Sequence, residues 1–436
     1  MRLFFLSLVA ALSCTSFSAA ADNTAPEGFR ALFNGKDFSG WHGRGGIDPA
    51  KYAAMTEAER ASKKAVDMED LKTHWKVEDG QLVNDGKGVY MTTDEDFGDV
   101  ELFVDYKLLP KGDSGVYLRG TPQVQIWDFN ESAGYWKMGA NLGSGGLWNN
   151  RVGSPGKDPL VLADKPIGEW NTFRIVQVGA RTSVWLNGKQ VVDHATLENY
   201  WDKEKKTPLF PKAPVQLQTH GNEVRWKNIY ARAIPADEAN KLLAEKGDEG
   251  FAPIFNGKDF ADWKGPIENY DVVDGAIRCK PGKGGTIYHQ DELTDFVVRT
   301  EFKVPAGGNN GLAIRYPGTG DTAYVGMCEL QVLDNDSPKY AKLDARQYHG
   351  SAYGMAAAAR GYQRPTGEWN FQEVTVKGST IRVELNGSVI LDTDLSKITE
   401  YMGKSPHPGK ERTSGFFGFA GHGSDVEFRN VRVKKL

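Results

Sequence analysis

Hydrophobic and polar residues alternate along several segments of the chain. In Val100–Leu108 and again in Phe296–Val304, apolar or β-branched residues occupy every second position. A period of two over this length predicts half-buried antiparallel strands. Asn187-Gly188 and Asn386-Gly387 each separate two alternating runs, and Asn-Gly is the strongest short signal for a β-hairpin. The pattern therefore predicts an all-β protein with many short strands.

The pattern occurs twice. The hexapeptide Phe33–Phe38 is repeated letter for letter at Phe255–Phe260. Further pairs follow in the same order in both halves: Trp75–Gly80 with Tyr270–Gly275, Gly168–Asn171 with Gly367–Asn370, Leu186–Gly188 with Leu385–Gly387, and His220-Gly221 with His422-Gly423. The chain is one domain duplicated, and we predict two tandem β-sandwiches.

The duplication sets the domain boundaries. We place the first domain at residues 27–234, a linker at 235–249 and the second domain at 250–436. Within the linker, Ala236–Lys246 has the composition of a short helix that ends at Gly247. The first domain also has a helical insertion at about residues 43–72. Its helix begins at Asp48-Pro49, a good cap and first-turn pair. The insertion either borders a binding cleft or only decorates the surface.

The first 21 residues resemble a secretory signal peptide. Arg2 precedes the apolar run Leu3–Leu12, and Ala19-Ala20-Ala21 offers a small-residue cleavage site. The run is too short for a membrane-spanning helix. We expect a periplasmic or secreted protein without a membrane span, with lipoprotein anchoring at Cys14 as the alternative. In an exported protein Cys279 and Cys328 either pair or remain two separate buried thiols.

Charge and composition exclude some partners. The chain has a net charge of −4 and an isoelectric point near 6.1, which argues against nucleic acid or an anionic membrane surface as a partner. No zinc-ligand spacing, phosphate-binding loop, dinucleotide fingerprint or Gly-x-Ser-x-Gly elbow occurs. The oligomeric state is not readable from the sequence.

Polar residues occupy the strand face opposite the core in several segments. Val116 and Leu118 alternate with Tyr117 and Arg119, and the second copy places Arg315 at the same position as Arg119. An arginine in the middle of a strand is costly unless it is solvated or paired. Arg119 and Arg315 therefore indicate either a polar open face or an ion pair with a neighbouring strand.

The next segment, Gln123–Asp128, matches Glu329–Asp334. Alternation directs Gln123, Gln125, Glu329 and Gln331 away from the core. The spacing is similar to the Glu-x-Asp-x-x-Glu strand of laminarinase-type glycosidases, whose retaining hydrolysis needs two carboxyl groups about 5 Å apart. Here the middle acid is glutamine in both copies, and the leading one is Gln123 in the first copy. A two-carboxylate glycosidase is therefore poorly supported.

A histidine recurs at the same place in both halves. His220, preceded by Gln218, and His422 could each act as a base, a metal ligand or a partner of sugar hydroxyls, or could cap the final hairpin. Trp148 and Tyr353 also correspond, and aromatic residues there either stack against sugar rings or belong to the core.

These motifs together are similar to the 3-keto-disaccharide hydrolase family. The match lies in Leu32–Asp37 with Trp41, Ser114–Arg119, Gly168–Asn171, Trp185–Gly188, Leu217–Gly221 and their counterparts in the second half. The resemblance implies concanavalin A-like (lectin/glucanase) jelly-roll β-sandwiches. It also implies action on glycosides that carry a ketone at the 3-position of the sugar.

The resemblance and the chemistry of such substrates suggest roles for the candidate residues. A ketone acidifies the adjacent C–H, so one base and one stabiliser of the enolate suffice for elimination of the glycosidic oxygen. His220 or His422 would be the base or a metal ligand, and Arg119 or Arg315 would stabilise the oxyanion. The expected sugar-binding residues are Tyr117, Gln125, Trp148, Gln218, Glu329, Gln331 and Tyr353, and a divalent metal ion could be held by Glu329, Asp334 and His422.

We therefore expect an exported protein that cleaves 3-keto-glycosides by hydrolysis or β-elimination. The alternatives are a lectin-like carbohydrate-binding protein and an ordinary glycosidase. The copies differ in ways that bear on which is active. Glu329 against Gln123 favours the second copy, whereas the Leu217–His220 segment, with Gln218 against Ala420, favours the first.

Overall fold

The computed structural model describes residues 22–436, and the expected signal segment and Cys14 lie outside them. The first domain contains α1 (Pro49–Ala54), α2 (Glu57–His74) and thirteen strands among these residues: β1 (Arg30–Ala31), β2 (Trp41–Arg44), β3 (Trp75–Glu78), β4 (Gln81–Asn84), β5 (Tyr90–Phe97), β6 (Val100–Leu108), β7 (Asp113–Leu118), β8 (Thr121–Trp127), β9 (Asn171–Val178), β10 (Arg181–Leu186), β11 (Lys189–Thr196), β12 (Ala213–Leu217) and β13 (Val224–Ala233).

The second domain repeats this order after the helix α3 (Ala236–Glu245). It contains α4 (Thr322–Val325) and the strands β14 (Ala252–Pro253), β15 (Trp263–Lys264), β16 (Tyr270–Val273), β17 (Ala276–Cys279), β18 (Gly284–Leu293), β19 (Phe296–Lys303), β20 (Asn309–Tyr316), β21 (Cys328–Leu333), β22 (Trp369–Lys377), β23 (Thr380–Leu385), β24 (Ser388–Asp394), β25 (Gly415–His422) and β26 (Glu427–Lys435).

Each domain is a sandwich of two antiparallel sheets. The larger sheet of the first domain has the order β11-β10-β9-β6-β13-β4-β3 with β1 paired to β13, and the smaller has the order β2-β5-β12-β7-β8. The second domain has the corresponding orders β24-β23-β22-β19-β26-β17-β16, with β14 on β26, and β15-β18-β25-β20-β21. Each pair of sheets encloses its own apolar core. The protein is thus two tandem concanavalin A-like jelly-roll β-sandwiches, as predicted.

The insertion in the first domain packs on the edge of the smaller sheet. The Asp48 carboxylate accepts a hydrogen bond from the Ala50 amide, and Pro49 begins α1. Leu71 of α2 is fully buried in the core. The Arg44 guanidinium at the end of β2 lies 4.8 Å from the centre of the Tyr52 ring of α1. The insertion therefore covers edge strand β2 and part of the outer face of this sheet.

The domains meet through two different turns and α3. The Ala180 amide, after β9, donates to the Gly387 carbonyl in the β23–β24 turn (3.0 Å). Arg181 and Glu384 form a two-pronged ion pair beside this contact, with nitrogen–oxygen distances of 2.7 and 2.6 Å. The linker helix α3 packs between the domains, where an apolar cluster of Val178, Ile234, Ala239, Leu243 and Phe371 lies.

Two further expectations concern the cysteines and the membrane. Cys279 and Cys328 are both buried free thiols, so the disulfide alternative is wrong and the alternative of separate thiols holds. Across residues 22–436, no helix combines the length and apolar character needed to span a bilayer.

Candidate active site

The second domain has a cleft of about 280 Å³ on the outer face of its smaller sheet. Strands β20, β21 and β25 form its floor, and α4 with its flanking loop forms one wall. It is lined by Asn309, Asp321, Ala323, Tyr324, Glu329, Gln331, Leu333, Tyr340, Leu343, Gln347, Tyr353 and His422. Amide, carboxylate, imidazole and phenol groups converge there among aromatic rings, which is the composition of a small-molecule site.

Glu329 and His422 are hydrogen-bonded at the floor of this cleft. Cys328 and Leu330 face the core, so the period of two places Glu329 on the opposite face of β21. Nε2 of His422 lies 3.2 Å from Oε1 of Glu329. The Glu329 side chain is only 4% exposed, whereas that of His422 is 45% exposed. The hydrogen bond to Glu329 raises the pKa of His422.

A glycine makes this pair possible. Gly311 lies on β20, next to β21 and β25 in the sheet. A Cβ at residue 311 would stand 2.2 Å from Oε1 of Glu329, a separation at which atoms collide. The absent side chain therefore leaves space for Glu329 to lie across β20 towards His422.

The remaining polar groups of the cleft are held in place by one another. The Gln331 amide donates to Oδ1 of Asn309 (2.6 Å), and the Gln347 amide donates to the Tyr353 hydroxyl (3.1 Å). Burial raises the pKa of Tyr324, so its phenol remains a hydrogen-bond donor at neutral pH. These side chains could bind the hydroxyl and carbonyl oxygens of a sugar.

The first domain has a second histidine–carboxylate pair, built from a different strand. Nδ1 of His220 lies 3.3 Å from Oδ2 of Asp113, on β7. The side-chain amide of Gln125 donates to the other oxygen of Asp113 (2.8 Å), and the side-chain amide of Gln123 donates to Oε1 of Gln125. Burial raises the pKa of Asp113, although His220 and Gln125 oppose the shift.

The other expected sugar-binding residues of the first domain lie on or near the same face. Tyr117 is buried and packs edge-to-face on Tyr90, with ring centres 5.2 Å apart. Trp148 contacts Trp127, and the Lys157 ammonium lies 3.6 Å from the centre of its ring. Gln218 is 8% exposed, and its Oε1 atom has no hydrogen-bond partner among residues 22–436.

Arg119 and Arg315 do not reach either site, which corrects the expected oxyanion role. Both have positive φ, 53° and 47°, so the strand alternation breaks at these residues and the side chains turn inwards. Arg119 binds Asp99 and Arg315 binds Asp295, each at 2.9 Å. Arg315 also donates to the carbonyl groups of Thr294, Gly378 and Arg412. The ion-pair alternative is therefore the one that holds.

Asp334 also lies outside the cleft, which corrects the expected metal set. Its carboxylate accepts hydrogen bonds from the Gly307 amide (2.8 Å) and the Thr366 hydroxyl (3.3 Å). Within residues 22–436, no three His, Cys, Asp or Glu side chains are grouped so as to hold a metal ion. The set Glu329, Asp334 and His422 does not fit a metal centre.

Sequence reasoning missed Asp113 and Tyr324. Asp113 could have been found by aligning the two copies, because it stands where the second copy has Asn309, two residues before the shared glycine. Tyr324 lies in α4, within the segment between β20 and β21 that the first copy replaces with the Arg119–Gly120 turn, so no repeat pointed to it.

The sandwich fold and the polar, aromatic cleft of the second domain are those of a carbohydrate-active protein. A family model described as "3-keto-alpha-glucoside-1,2-lyase-like domain" matches residues 28–232 and 250–434. The chain belongs to this family. A 3-keto-disaccharide hydrolase of Bacteroides thetaiotaomicron is 30% identical over an alignment 264 residues long, which covers 51% of this chain and 90% of the relative.

Solved structures with similar folds cover one domain. A proposed glycosyl hydrolase from Parabacteroides distasonis is 27% identical, with 43% of this chain and 99% of that chain covered at a TM-score of 0.39. The carbohydrate-binding module CBM66 from Bacillus subtilis is 15% identical, with 43% and 96% covered at a TM-score of 0.24.

Proposed function

We propose that the second domain cleaves the glycosidic bond of a 3-keto-glycoside in the Glu329–His422 cleft. The observation that carries this proposal is a buried carboxylate hydrogen-bonded to a half-exposed imidazole, at the floor of a cleft lined with phenols and amides. The family and the Bacteroides relative supply the substrate class.

The pair suits removal of a carbon-bound proton. Nε2 of His422 is occupied by Glu329, and among residues 22–436 its Nδ1 has no hydrogen-bond partner. In our proposal Nδ1 takes the proton from C2, which the neighbouring ketone has acidified. Glu329 then stabilises the imidazolium, as a buried carboxylate does for a catalytic histidine.

The rest of the cleft would stabilise the enolate. The Tyr324 and Tyr353 hydroxyls line the same cleft and could donate to the ketone oxygen as charge develops on it. The electron pair from the C2–H bond forms a C1–C2 double bond, and the glycosidic oxygen leaves with a proton. Addition of water to this double bond would complete a net hydrolysis.

The cleft does not favour direct hydrolysis by two carboxylates. Glu329 is engaged by His422, and Asp321, another carboxylate of the cleft, accepts a hydrogen bond from the Ala323 amide at the start of α4 (3.1 Å). A glycosidase requires one carboxyl group for the leaving oxygen and one for C1 or a water.

The first 21 residues support export, so the substrate would be an extracytoplasmic glycoside.

The test is turnover of a 3-keto-disaccharide by the purified protein, followed through reducing sugar and an ultraviolet-absorbing enone. We expect turnover with the oxidised sugar and none with the unoxidised disaccharide, with EDTA without effect because the donor set does not fit a metal. H422A and E329Q should lower turnover, with H74A, a half-buried histidine of the first domain that pairs with Asp85, as the control. Equal cleavage of both sugars, or saturable glycan binding without turnover, would overturn the proposal.

A further inference from the structure

We propose that the first domain holds a second catalytic site, centred on Asp113 and His220, with a substrate preference different from that of the second domain. The inference rests on the chemistry of the proposed function but concerns a separate site. Its basis is that the carboxylate beside the histidine comes from different strands of the corresponding sheet in the two domains.

This difference can be followed residue by residue. Asp113 on β7 pairs across the sheet with Trp127, and its counterpart Asn309 on β20 pairs with Leu333. On the neighbouring strand, Gln123 stands where the second domain has Glu329. Each domain therefore keeps one carboxylate beside its histidine, although the carboxylate comes from β7 in one domain and from β21 in the other.

The two histidines also face their carboxylates with different ring nitrogens. Asp113 engages Nδ1 of His220 at 3.3 Å, whereas Glu329 engages Nε2 of His422 at 3.2 Å. In the described part of the chain, Nε2 of His220 has no hydrogen-bond partner. The two domains thus present opposite ring nitrogens to a ligand, and the proton-accepting atom occupies a different position on the sheet in each.

The Asp113–His220 pair is supported by buried amides. Gln123 and Gln125, 5% and 2% exposed, form a chain of hydrogen bonds that ends on Asp113. Gln218 precedes His220 by two residues, the spacing that places side chains on one face of an extended chain. Its buried, unpartnered Oε1 is an acceptor for a sugar hydroxyl, since a buried polar atom normally has a partner.

The walls around the two histidines differ. In the second domain the loop with α4 brings Tyr324 to the cleft. In the first domain the corresponding Gly120 turn is covered by Trp201, whose indole donates to the Gly120 carbonyl (2.9 Å), and by Pro49 of the insertion, 2.5 Å from an added Cβ on Gly120. The His220 side chain is 58% exposed, against 45% for His422. His220 is therefore the more exposed of the two histidines, and the different residues around it suit a different aglycone or anomer.

The reaction at His220 is balanced without a further reactant. Nε2 takes the C2 proton of a 3-keto-glycoside, the freed electron pair forms the C1–C2 double bond, and the C1–O bond breaks. The imidazolium returns the proton to the departing oxygen. The products are an enone sugar and an alcohol, and Asp113 acts as a positioning residue that stabilises the imidazolium.

The experiment compares H220A, H422A and the double variant of the full chain on α- and β-linked 3-keto-disaccharides. We expect each single variant to retain turnover and the double variant to lose it. Because general-base catalysis contributes about 100-fold or more, each single variant reports almost entirely on its remaining site, and the α-to-β ratio of kcat/KM should differ between the single variants. D113N should move the pH profile of the H422A protein and leave that of the H220A protein unchanged.

Other outcomes overturn the inference in distinguishable ways. If H422A alone abolishes turnover of every substrate and H220A is indistinguishable from the wild type, the first domain is not catalytic. If D113N then weakens glycan binding, the first domain is a binding module. An inactive wild-type protein would remove the proposed function itself. Circular dichroism of D113N and H220A excludes misfolding as the cause of any loss.

Discussion

The Glu329 carboxylate reaches His422 only because residue 311 is glycine. The two side chains come from β21 and from the end of β25, with β20 between them in the sheet, and Glu329 crosses this strand directly above Gly311. The position of the carboxylate therefore depends on a residue that contributes no functional group of its own.

Gly311→Ala should remove activity without unfolding the second domain. The new methyl group would overlap Oε1 of Glu329 and push the carboxylate away from His422. A misplacement of about 1 Å can cost about 100-fold in rate. With His220 also replaced, so that only the second site acts, kcat/KM should therefore fall by that order on adding G311A, while the thermal midpoint changes little. Gly45→Ala is the control, because a Cβ there meets open space. A G311A/H220A protein as active as H220A alone would show that the pair is not required.

Glu329→Gln should shift the pH dependence of turnover. Glu329 raises the pKa of His422 above 6.5. As the pH falls through this raised pKa, His422 becomes protonated and can no longer act as a base. In E329Q, measured in the H220A protein so that only the second site acts, the acidic limb of the kcat/KM profile should move to lower pH, and the maximum should fall about 100-fold because the imidazolium loses its partner. An unchanged acidic limb would show that a group other than His422 titrates there.

The raised pKa of His422 also means that its pair with Glu329 stabilises the fold below pH 6.5, and that this stabilisation is lost as the pH rises through the folded pKa.

Arg315→Met should affect stability and spare the chemistry. The guanidinium is 1% exposed and binds Asp295 and three carbonyl groups. Because Asp295 is itself 37% exposed, the loss comes mainly from the three carbonyl groups that lose this donor, at about 1 kcal/mol for each hydrogen bond, which urea unfolding would measure. Turnover per folded molecule should stay within about twofold, as for a surface change, and exposed Lys397→Met is the control. A large fall in kcat with unchanged stability would restore the oxyanion role.

Arg181→Ala should weaken the contact between the domains. Arg181 and Glu384 are 22% and 5% exposed, and the substitution leaves the Glu384 carboxylate buried without its main partner. We expect a loss of about 3 kcal/mol and two separate unfolding transitions in place of one. R181M/E384L should regain most of the loss, since an apolar pair leaves no buried charge. An R181A protein with wild-type unfolding would show that α3 alone joins the domains.

His349 should make the second domain sensitive to acid. Its ring is buried against Phe302 and bonded to Gln372, and burial lowers its pKa to about 4. The unfolded chain takes up this proton near pH 6.5 and the folded chain does not, so the free energy of unfolding falls as the pH drops from 6.5 to about 4. The full effect is on the order of 3 kcal/mol. H349Q should flatten the dependence in urea titrations at pH 7 and pH 5; equal slopes in both proteins would contradict this.

The repeat and the alternation were sufficient to predict the architecture. Asn187-Gly188 and Asn386-Gly387 are hairpin turns because asparagine and glycine tolerate positive φ, and both residues of each turn have it. Asp48-Pro49 begins a helix because its cap depends on adjacent residues alone. Such features are local, and local chemistry is visible in a sequence.

The site was only partly predictable because its decisive features are not local. Alternation directed Arg119 and Arg315 outwards, but a positive φ at each residue breaks the period and turns the side chain towards an aspartate in a turn between two strands. Asp334 was assigned to the site by its spacing, although a neighbouring loop takes up its carboxylate. Glu329 and the two histidines were identified because they face outwards and lie at corresponding positions of the repeat.

The contact between the two domains bears on how further copies of the domain could be added to such a chain. The turn after β9 in the first copy meets the β23–β24 turn of the second, so the contact joins two unlike surfaces of the same fold. The partner turns, at Gly188 and Gly378, remain open, since a Cβ added to either meets no atom of residues 22–436 within 4 Å. A head-to-tail contact of this kind can be repeated, giving a ring where the rotation closes and an open array where it does not. The same joint could therefore be used again, and longer arrays could be assembled by adding copies at either end without remodelling those already present.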